Sequence, residues 1–439
     1  MLKKKAMNNQ VNMETLTLPI ELLNMVSNYF KREKEGDITA RSSATKYLKN
    51  FLIETSDGSY TLKSSVINGS SETMHTHHGA VEESIQKYVE PSGLRDKLTS
   101  KDEIRILDTC SGLGYNAAAA LDLWQSIPNN CKIKLDMVEI SRETLAITLL
   151  IPSPLRAYEI IKKAVEDELY QEEFLSLRYE RNEKPENVDI NIYCEDVREL
   201  IKNLLENKSS KTESNKSLIN EDNDGIYDII FLDPFSPQLT PELYTLDFFK
   251  SLKQVMKTDG LILTYTSAAP VRSAFIEAGF NVGEGPRFGR KRGGTIASIS
   301  TELILKDLLM EDERMIALSD VGVPFRDPHL NSNSQYVKER RSNERELLRI
   351  KKMKFASTVK TPVYLLEDLE DGRLKRRVLK NLHKMGFEDL NSPEFKYVLC
   401  PQYPKCICGK GCESFDNSRK RVNEMSHRLH QVIKKKINK

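Results

Sequence analysis

From Ile104 to Ser300 short apolar runs alternate with helical patterns, and the first run feeds directly into a glycine turn. Ile104-Arg-Ile-Leu-Asp108 reads as a strand, Thr109-Cys-Ser-Gly-Leu-Gly114 as a tight loop, and the alanine-rich Ala117–Trp124 as the helix behind it. Glycines let a backbone pass close to a ligand, and a helix N-terminus offers it free amides. Further strands are expected at 134–139, 191–194, 227–233 and 260–265, with a late pair near 281–282 and 295–300. Strands separated by helices are joined by crossovers, so an α/β fold with a mostly parallel central sheet is expected.

The flanks read differently. Leu16, Ile20, Leu22, Leu23, Val26 and Phe30 suit an amphipathic helix within 14–35, and Phe51–Leu62 reads as a hairpin turning at Ser56-Asp57-Gly58. Two insertions are expected, a charged helical one at 155–182 and an Asn/Lys/Ser-rich surface loop at 206–224. Beyond Asp320 come a linker with Pro324 and Pro328, a charged helix from about Val337 to Met353, and a smaller mixed region. The expected division is an N-terminal helical extension (1–50), a catalytic domain (51–320) and a basic C-terminal region (321–439).

Charge separates these parts. Residues 331–439 hold 26 Lys+Arg and 13 Asp+Glu, a net of +13, which leaves −11 for the remainder of a chain whose total is +2. An acidic body with a basic tail implies a polyanionic partner, most often nucleic acid. No apolar run approaches the roughly 18 residues of a membrane span, so no membrane partner is expected. The basic first ten residues have no apolar stretch behind them, so no secretory signal is expected. Seven cysteines, an odd number, argue against a disulfide scaffold and for a reducing cytoplasm.

Acids stand at successive strand ends. Asp108 precedes the glycine loop with Gly112 and Gly114, Glu139 closes the second strand, and Asp196 follows the third. A carboxylate at the second position can accept hydrogen bonds from both ribose hydroxyls of a nucleoside. Asp108 would repel a pyrophosphate but attract S-adenosylmethionine, which is cationic at sulfur. Each acid can also serve as a helix cap. The fourth strand ends in Asp233-Pro-Phe-Ser-Pro237, at the carboxyl edge where open α/β sheets bind ligands. Asp233 there can orient an amine or take its proton.

With that motif a series is complete, in order: Asp57-Gly-Ser-Tyr-Thr61, His77-His-Gly-Ala80 with Glu83, Leu107-Asp-Thr-Cys-Ser-Gly-Leu-Gly-Tyr-Asn116, Leu123-Trp-Gln125, Phe231-Leu-Asp-Pro-Phe-Ser-Pro237, Thr264-Tyr-Thr-Ser-Ala-Ala269, Val271-Arg272, Ala278-Gly-Phe280 and Arg287-Phe-Gly-Arg-Lys-Arg292. The sequence resembles the MnmC-type tRNA methyltransferase domain over about residues 55–300. The resemblance implies a Rossmann-like class I methyltransferase fold. It also implies methyl transfer from S-adenosylmethionine to the exocyclic amine of a 5-aminomethyl(-2-thio)uridine at the tRNA wobble position. By resemblance the cofactor residues are Asp108, Gly112, Gly114, Asn116, Glu139 and Asp196; Asp233 is the acid on the acceptor side, with Phe235 walling the uracil. The chain resembles the stand-alone type, with a partner enzyme supplying the aminomethyl acceptor. Alternatives are an aminopropyl transferase of the polyamine-synthase kind and an N-methyltransferase for another RNA base.

Arg287, Arg290, Lys291 and Arg292 form a basic run suited to tRNA phosphates. His77 and His78, together with His75, are expected to line the mouth of the site. Cys400, Cys406, Cys408 and Cys412 fall within thirteen residues in the spacing C-x5-C-x-C-x3-C. In a reducing compartment that clustering suggests thiolate ligation of zinc or an iron–sulfur cluster, with His427 and His430 as substitutes for one ligand.

Overall fold

The apolar runs become strands close to where the pattern puts them. The computed structural model describes residues 18–65, 72–178, 184–214, 225–289, 292–357 and 372–437. The hairpin is β1 (Ile53–Glu54) paired antiparallel with β2 (Tyr60–Thr61). The main sheet comprises β3 (Glu103–Thr109), β4 (Lys132–Val138), β5 (Val188–Tyr193), β6 (Tyr227–Leu232), β7 (Met256–Thr264), β8 (Asn281–Glu284) and β9 (Thr295–Ser298). Their spatial order is β5-β4-β3-β6-β7-β9-β8. The first five in that order are mutually parallel, and β9 runs antiparallel to both β7 and β8.

The chain steps outward from β3 to β5, then returns to place β6 on the other side of β3. This reversal opens a crevice at the carboxyl ends of β3 and β6. The strands are apolar for a plain reason: a central parallel strand has helices on both faces, and every residue of β6 is buried. Register is also held by polar anchors. Asp136 on β4 is fully buried and accepts from Arg105 on β3, Asn191 on β5 and Tyr227 on β6.

Segment 155–182, expected to be an insertion, carries the helix Tyr158–Gln171 on the connection from β4 to β5. Its Tyr158, Ile161, Val165 and Leu169 share a hydrophobic cluster with β3 and β4. The loop expected at 206–224 begins inside a helix, Val197–Ser214; residues 215–224 lie outside those described. The N-terminal helix starts at Ile20, followed by a second, Ala40–Leu48. Arg41 of the second helix pairs with Glu166 at 2.6 Å, which fastens this extension to the helix Tyr158–Gln171.

The C-terminal helices are Ser334–Ile350, Arg373–Lys384, Pro393–Leu399 and Ser418–Ile437. Phe355, Phe387, Phe395 and Leu429 belong to the same hydrophobic cluster as Ile262, Phe249 and Phe275 of the sheet and its helices. The basic region therefore packs directly on the catalytic core. Arg421 and Glu313 form a buried ion pair (2.8 Å) across that contact. Among the described residues no helix is long and apolar enough to cross a membrane.

Candidate active site

The glycine loop is shaped by three residues in left-handed conformations: Cys110 (φ 56°), Gly112 (φ 53°) and Gly114 (φ 79°). Glycine is required at 114 on two counts, its positive φ and a close neighbour. A Cβ there would stand 2.9 Å from Ile161 Cγ2 and 3.3 Å from Met137 Cε. The turn is clamped by Gly114 N–H to Ser111 O (2.7 Å), Ser111 N–H to Val138 O (2.9 Å) and the Tyr158 hydroxyl to Leu113 O (2.7 Å). Helix Tyr115–Ser126 starts directly after it and buries Tyr115 through Leu121.

Above this loop lies a cavity of about 670 Å³. Its walls include Ser111, Gly112, Asn116, Glu139, Asp196, Asp233 and Phe235, and among the described residues that line it seven carboxylates face two cationic side chains, Lys87 and Arg198. Low-dielectric walls focus the field of such a set, so the cavity favours a cationic or amine-bearing ligand over a polyphosphate. A cavity of this size suits a nucleoside-sized ligand.

Glu139 is nearly buried and accepts from Gly112 N–H (3.0 Å) and Ser141 N–H (2.9 Å). Burial pushes its carboxyl above the usual range, and these backbone donors offset part of that. Its carboxylate oxygens keep acceptor capacity for a ligand. Asp108 is placed otherwise than the sequence suggests: it is fully buried behind the loop and does not line the cavity, and the same is true of Gly114. Neither carboxylate oxygen of Asp108 makes a well-formed hydrogen bond, and Ser111 Oγ and Asn116 Oδ1 also lack partners. Burial, with Asp233 nearby, pushes the Asp108 carboxyl well above its usual range. Ser111 and Asn116 line the cavity, and unsatisfied polar atoms on such a wall are what a ligand-binding surface offers. Asp196 lines the wall but is already occupied. It caps the next helix through Arg198 N–H (2.9 Å) and pairs with the Arg198 guanidinium (2.7 Å).

Asp233 stands at the end of β6. Its Oδ1 accepts from the Tyr88 hydroxyl (2.5 Å) and its Oδ2 from Asn116 Nδ2 (2.9 Å). A π-helical turn, Ile85–Val89, carries Tyr88, an irregularity often found at functional sites. Burial raises the Asp233 pKa to about 6, with Tyr88 and Asn116 restraining the rise. Tyr88 is itself pushed far up by burial and by Asp233, so it stays a donor. The following turn is tied to Glu72, which accepts from Ser236 Oγ (2.6 Å) and Ser236 N–H (3.2 Å). Phe235 forms part of the wall beside it.

The histidines divide. His75 lines the cavity, is held edge-on to Tyr115 (ring centroids 5.4 Å), and is pushed down to about 4 by burial, so it is neutral near pH 7. His77 and His78 are exposed and do not line the cavity; their rings lie 4.1 Å apart at the surface, His78 against Phe288. Their stretch instead builds local structure. Asp57 accepts from Glu82 N–H (2.9 Å), Ser59 Oγ from Ala80 N–H (2.8 Å), and a Cβ on Gly79 would collide with the Asp57 carboxylate. The Asp57-Gly-Ser and His-His-Gly-Ala motifs are thus two halves of one joint.

The basic run also divides. Arg287 is exposed, with a 3.3 Å contact to Glu284. Arg292 is drawn into an ion pair with Asp312, which also holds the buried Arg272 at 2.8 Å. Arg290 and Lys291 lie outside the described residues. Sequence reasoning missed Glu72, Tyr88 and Lys87, which reach the cavity from segments without a strand-end signal. It also missed Asn331–Ser334, which form part of the wall although they follow the matched region. Cys400, Cys406, Cys408 and Cys412 converge within 4.8 Å, whereas His427 and His430 stand outside that cluster and His427 pairs with Gln431.

A sheet in this order, with a strand–glycine loop–helix opening on its crevice and an acid at the fourth strand end, is the architecture of S-adenosylmethionine-dependent methyltransferases. A family model described as S-adenosyl-L-methionine-dependent methyltransferase matches residues 159–300. An uncharacterized protein of Methanocaldococcus jannaschii is 34% identical over 375 residues, 85% of this chain and 92% of that protein. The tRNA 5-methylaminomethyl-2-thiouridine biosynthesis bifunctional protein MnmC of Aromatoleum aromaticum is 24% identical over 218 residues, 50% of this chain but only 31% of that protein. The crystal structure of MNMC2 from Aquifex aeolicus superposes with a TM-score of 0.51 at 26% identity, covering 75% of this chain and 99% of that one. The chain belongs to the MnmC-type S-adenosylmethionine-dependent methyltransferase domain family.

Proposed function

We propose that this chain methylates the exocyclic amine of a 5-aminomethyl(-2-thio)uridine at the tRNA wobble position. The observation that carries the reading is Asp233, fixed by Tyr88 and Asn116 over an acid-lined cavity and poised near pH 6. The name of the bifunctional relatives supplies the substrate class.

When bound, S-adenosylmethionine supplies an electrophilic methyl group on a cationic sulfur. Glu139 has lone pairs left for ribose hydroxyls, and Gly112 and Ser111 offer loop backbone and an unpaired hydroxyl to the nucleoside. The surrounding carboxylates favour the sulfonium. On the other side Asp233, ionised at neutral pH, accepts a hydrogen bond from the acceptor amine and so aims its lone pair. Asp233 would take up the proton that the acceptor nitrogen loses on methylation. Orientation supplies most of the rate and the carboxylate the remainder. Phe235 gives the uracil ring a face to rest on, and a splayed anticodon-loop base reaches the cavity without opening a duplex. The aminomethyl acceptor comes from a preceding enzyme activity, and the reaction belongs in the cytoplasm.

The test is nucleoside mass spectrometry of tRNA carrying the free aminomethyl group, incubated with the purified chain and methyl-labelled S-adenosylmethionine. One labelled methyl on the wobble nucleoside is expected. Label on another nucleoside, or none, would overturn the proposal.

A further inference from the structure

Between the helices Pro393–Leu399 and Ser418–Ile437 the chain makes eighteen residues of loop with neither strand nor helix. It is polar, and among its residues Cys400 is buried while Ile407 is only partly packed against the core. Such a loop has little apolar burial to hold one conformation. It nevertheless folds back so that four sulfurs meet. The Sγ separations are 3.7 Å for Cys400–Cys406, 3.5 Å for Cys406–Cys408 and 3.4 Å for Cys408–Cys412, and no pair is bonded.

The spacing distinguishes between ligands. With Zn–S bonds of about 2.3 Å, a tetrahedral tetrathiolate holds its sulfurs about 3.8 Å apart. An iron–sulfur cluster puts irons and sulfides between its cysteines and spreads them farther. All four sulfurs here lie within 4.8 Å of one another, too close for a cluster and right for one ion. The loop is cut to this shape: Gly409 (φ 73°) and Gly411 (φ 61°) supply left-handed turns between the last two cysteines, Cys408 and Cys412, in open space where only the backbone angle calls for glycine.

The surroundings fit the charge. Four thiolates around a divalent ion carry a net of −2. Arg428 donates to Cys412 Sγ at 3.3 Å and to Tyr397 O at 3.1 Å, and Lys410 stands 4.2 Å above the Tyr397 ring. An N–H donor to a coordinating sulfur is the usual outer support of a thiolate site. Arg428 projects from the C-terminal helix, whose Met425, Leu429 and Ile433 are buried in the common core. The site therefore links the loop to the helix that docks on the catalytic sheet.

We propose that Cys400, Cys406, Cys408 and Cys412 bind one Zn²⁺ in a closed tetrathiolate site that clamps the loop 400–417 onto the helix Ser418–Ile437. With four protein ligands the ion has no open position and a structural role. The site lies outside the methyl-transfer cavity, and its test does not depend on activity. The full-length chain, purified without added metal, should carry one zinc by elemental analysis, with no iron and no acid-labile sulfide. Exchange with Co²⁺ should give sulfur-to-cobalt charge transfer and the visible bands of tetrahedral coordination. Cys408→Ser should lose the zinc, whereas Cys412→His, which keeps a four-donor set, should retain it. Iron with sulfide, a disulfide among these residues, or four freely alkylated thiols with no metal would each overturn the proposal.

Discussion

At the carboxyl ends of β3 and β6 the functional side chains hang from elements already held by strand pairing and packing; around Cys400–Cys412 four thiols, with Cys400 alone of them buried, sit in a loop without strand pairing. Asp233 has its position set by β6, Tyr88 and Asn116 before any ligand arrives. The cysteines have theirs set by one another, which means by whatever they bind. One region is preorganised by the fold and the other by its ligand. Disturbance should therefore act on chemistry in the first and on local structure in the second.

The largest effect is expected where the fold has fixed a reacting group. Asp233→Ala should lower methyl transfer by about 10²–10⁴-fold, the usual contribution of a positioned proton acceptor. S-adenosylmethionine affinity, measured by calorimetry, should stay within a few-fold. Retained activity would remove Asp233 from the mechanism and would leave the preorganised half of the comparison without its centre.

Next comes the loop itself. Gly114→Val places a β-branched side chain at φ 79° with Ile161 at 2.9 Å. Strain and overpacking of this kind cost about 1–3 kcal/mol each. Urea unfolding should show a loss of that order, and calorimetry an affinity for S-adenosylmethionine at least tenfold weaker. Removal of zinc with a chelator should leave that affinity unchanged, because the cysteine loop does not line the cavity.

The pH dependence sharpens the contrast further. Asp233 must be ionised to accept from the amine, and its pKa is raised to about 6. Activity limited by this group should be full well above pH 6 and fall about tenfold per unit well below it. The Tyr88 hydroxyl holds that value down by hydrogen-bonding the carboxylate, so Tyr88→Phe should move the acidic limb to higher pH and cost a few-fold in rate at pH 7. A pH profile that does not move would show that this hydrogen bond does not tune Asp233.

The same comparison explains what was readable from the sequence. β3, the glycine loop, Glu139 and Asp233 are legible because strand periodicity and the turn that follows are local properties, and a strand end fixes its side chain's address. The cysteine cluster is legible because its ligands are close in the chain. Tyr88 and Glu72 are not legible. They reach the cavity through an irregular helical turn and an extended segment, and nothing local says which way either faces. His75 shows the same limit: it is one of three similar histidines, and only the approach of Tyr115 and burial distinguish it from His77 and His78. Asp108 marks another limit: the strand pattern places it before the glycine loop but does not say that it is fully buried and outside the cavity wall.

The smallest expected effect separates two arginines that the sequence places in one basic run. Arg292 is spent on Asp312, whose other partner is the buried Arg272, so its charge is already neutralised within the protein. Arg287 faces solvent, with its side chain 51% exposed and a contact to Glu284 at 3.3 Å. A cation that meets a phosphate releases a counterion and contributes about one to the slope of log affinity against log salt concentration. Arg287→Ala should therefore weaken tRNA binding modestly and lower that slope by about one, leaving thermal stability within about 0.5 kcal/mol, the usual range for a surface substitution. Arg292→Ala should do the reverse: the slope stays, and stability falls because Asp312 loses one of its two cations. Filter-binding titrations at several salt concentrations, set beside thermal melts, distinguish the two, and equal slopes for wild type and Arg287→Ala would take Arg287 out of the RNA-binding face.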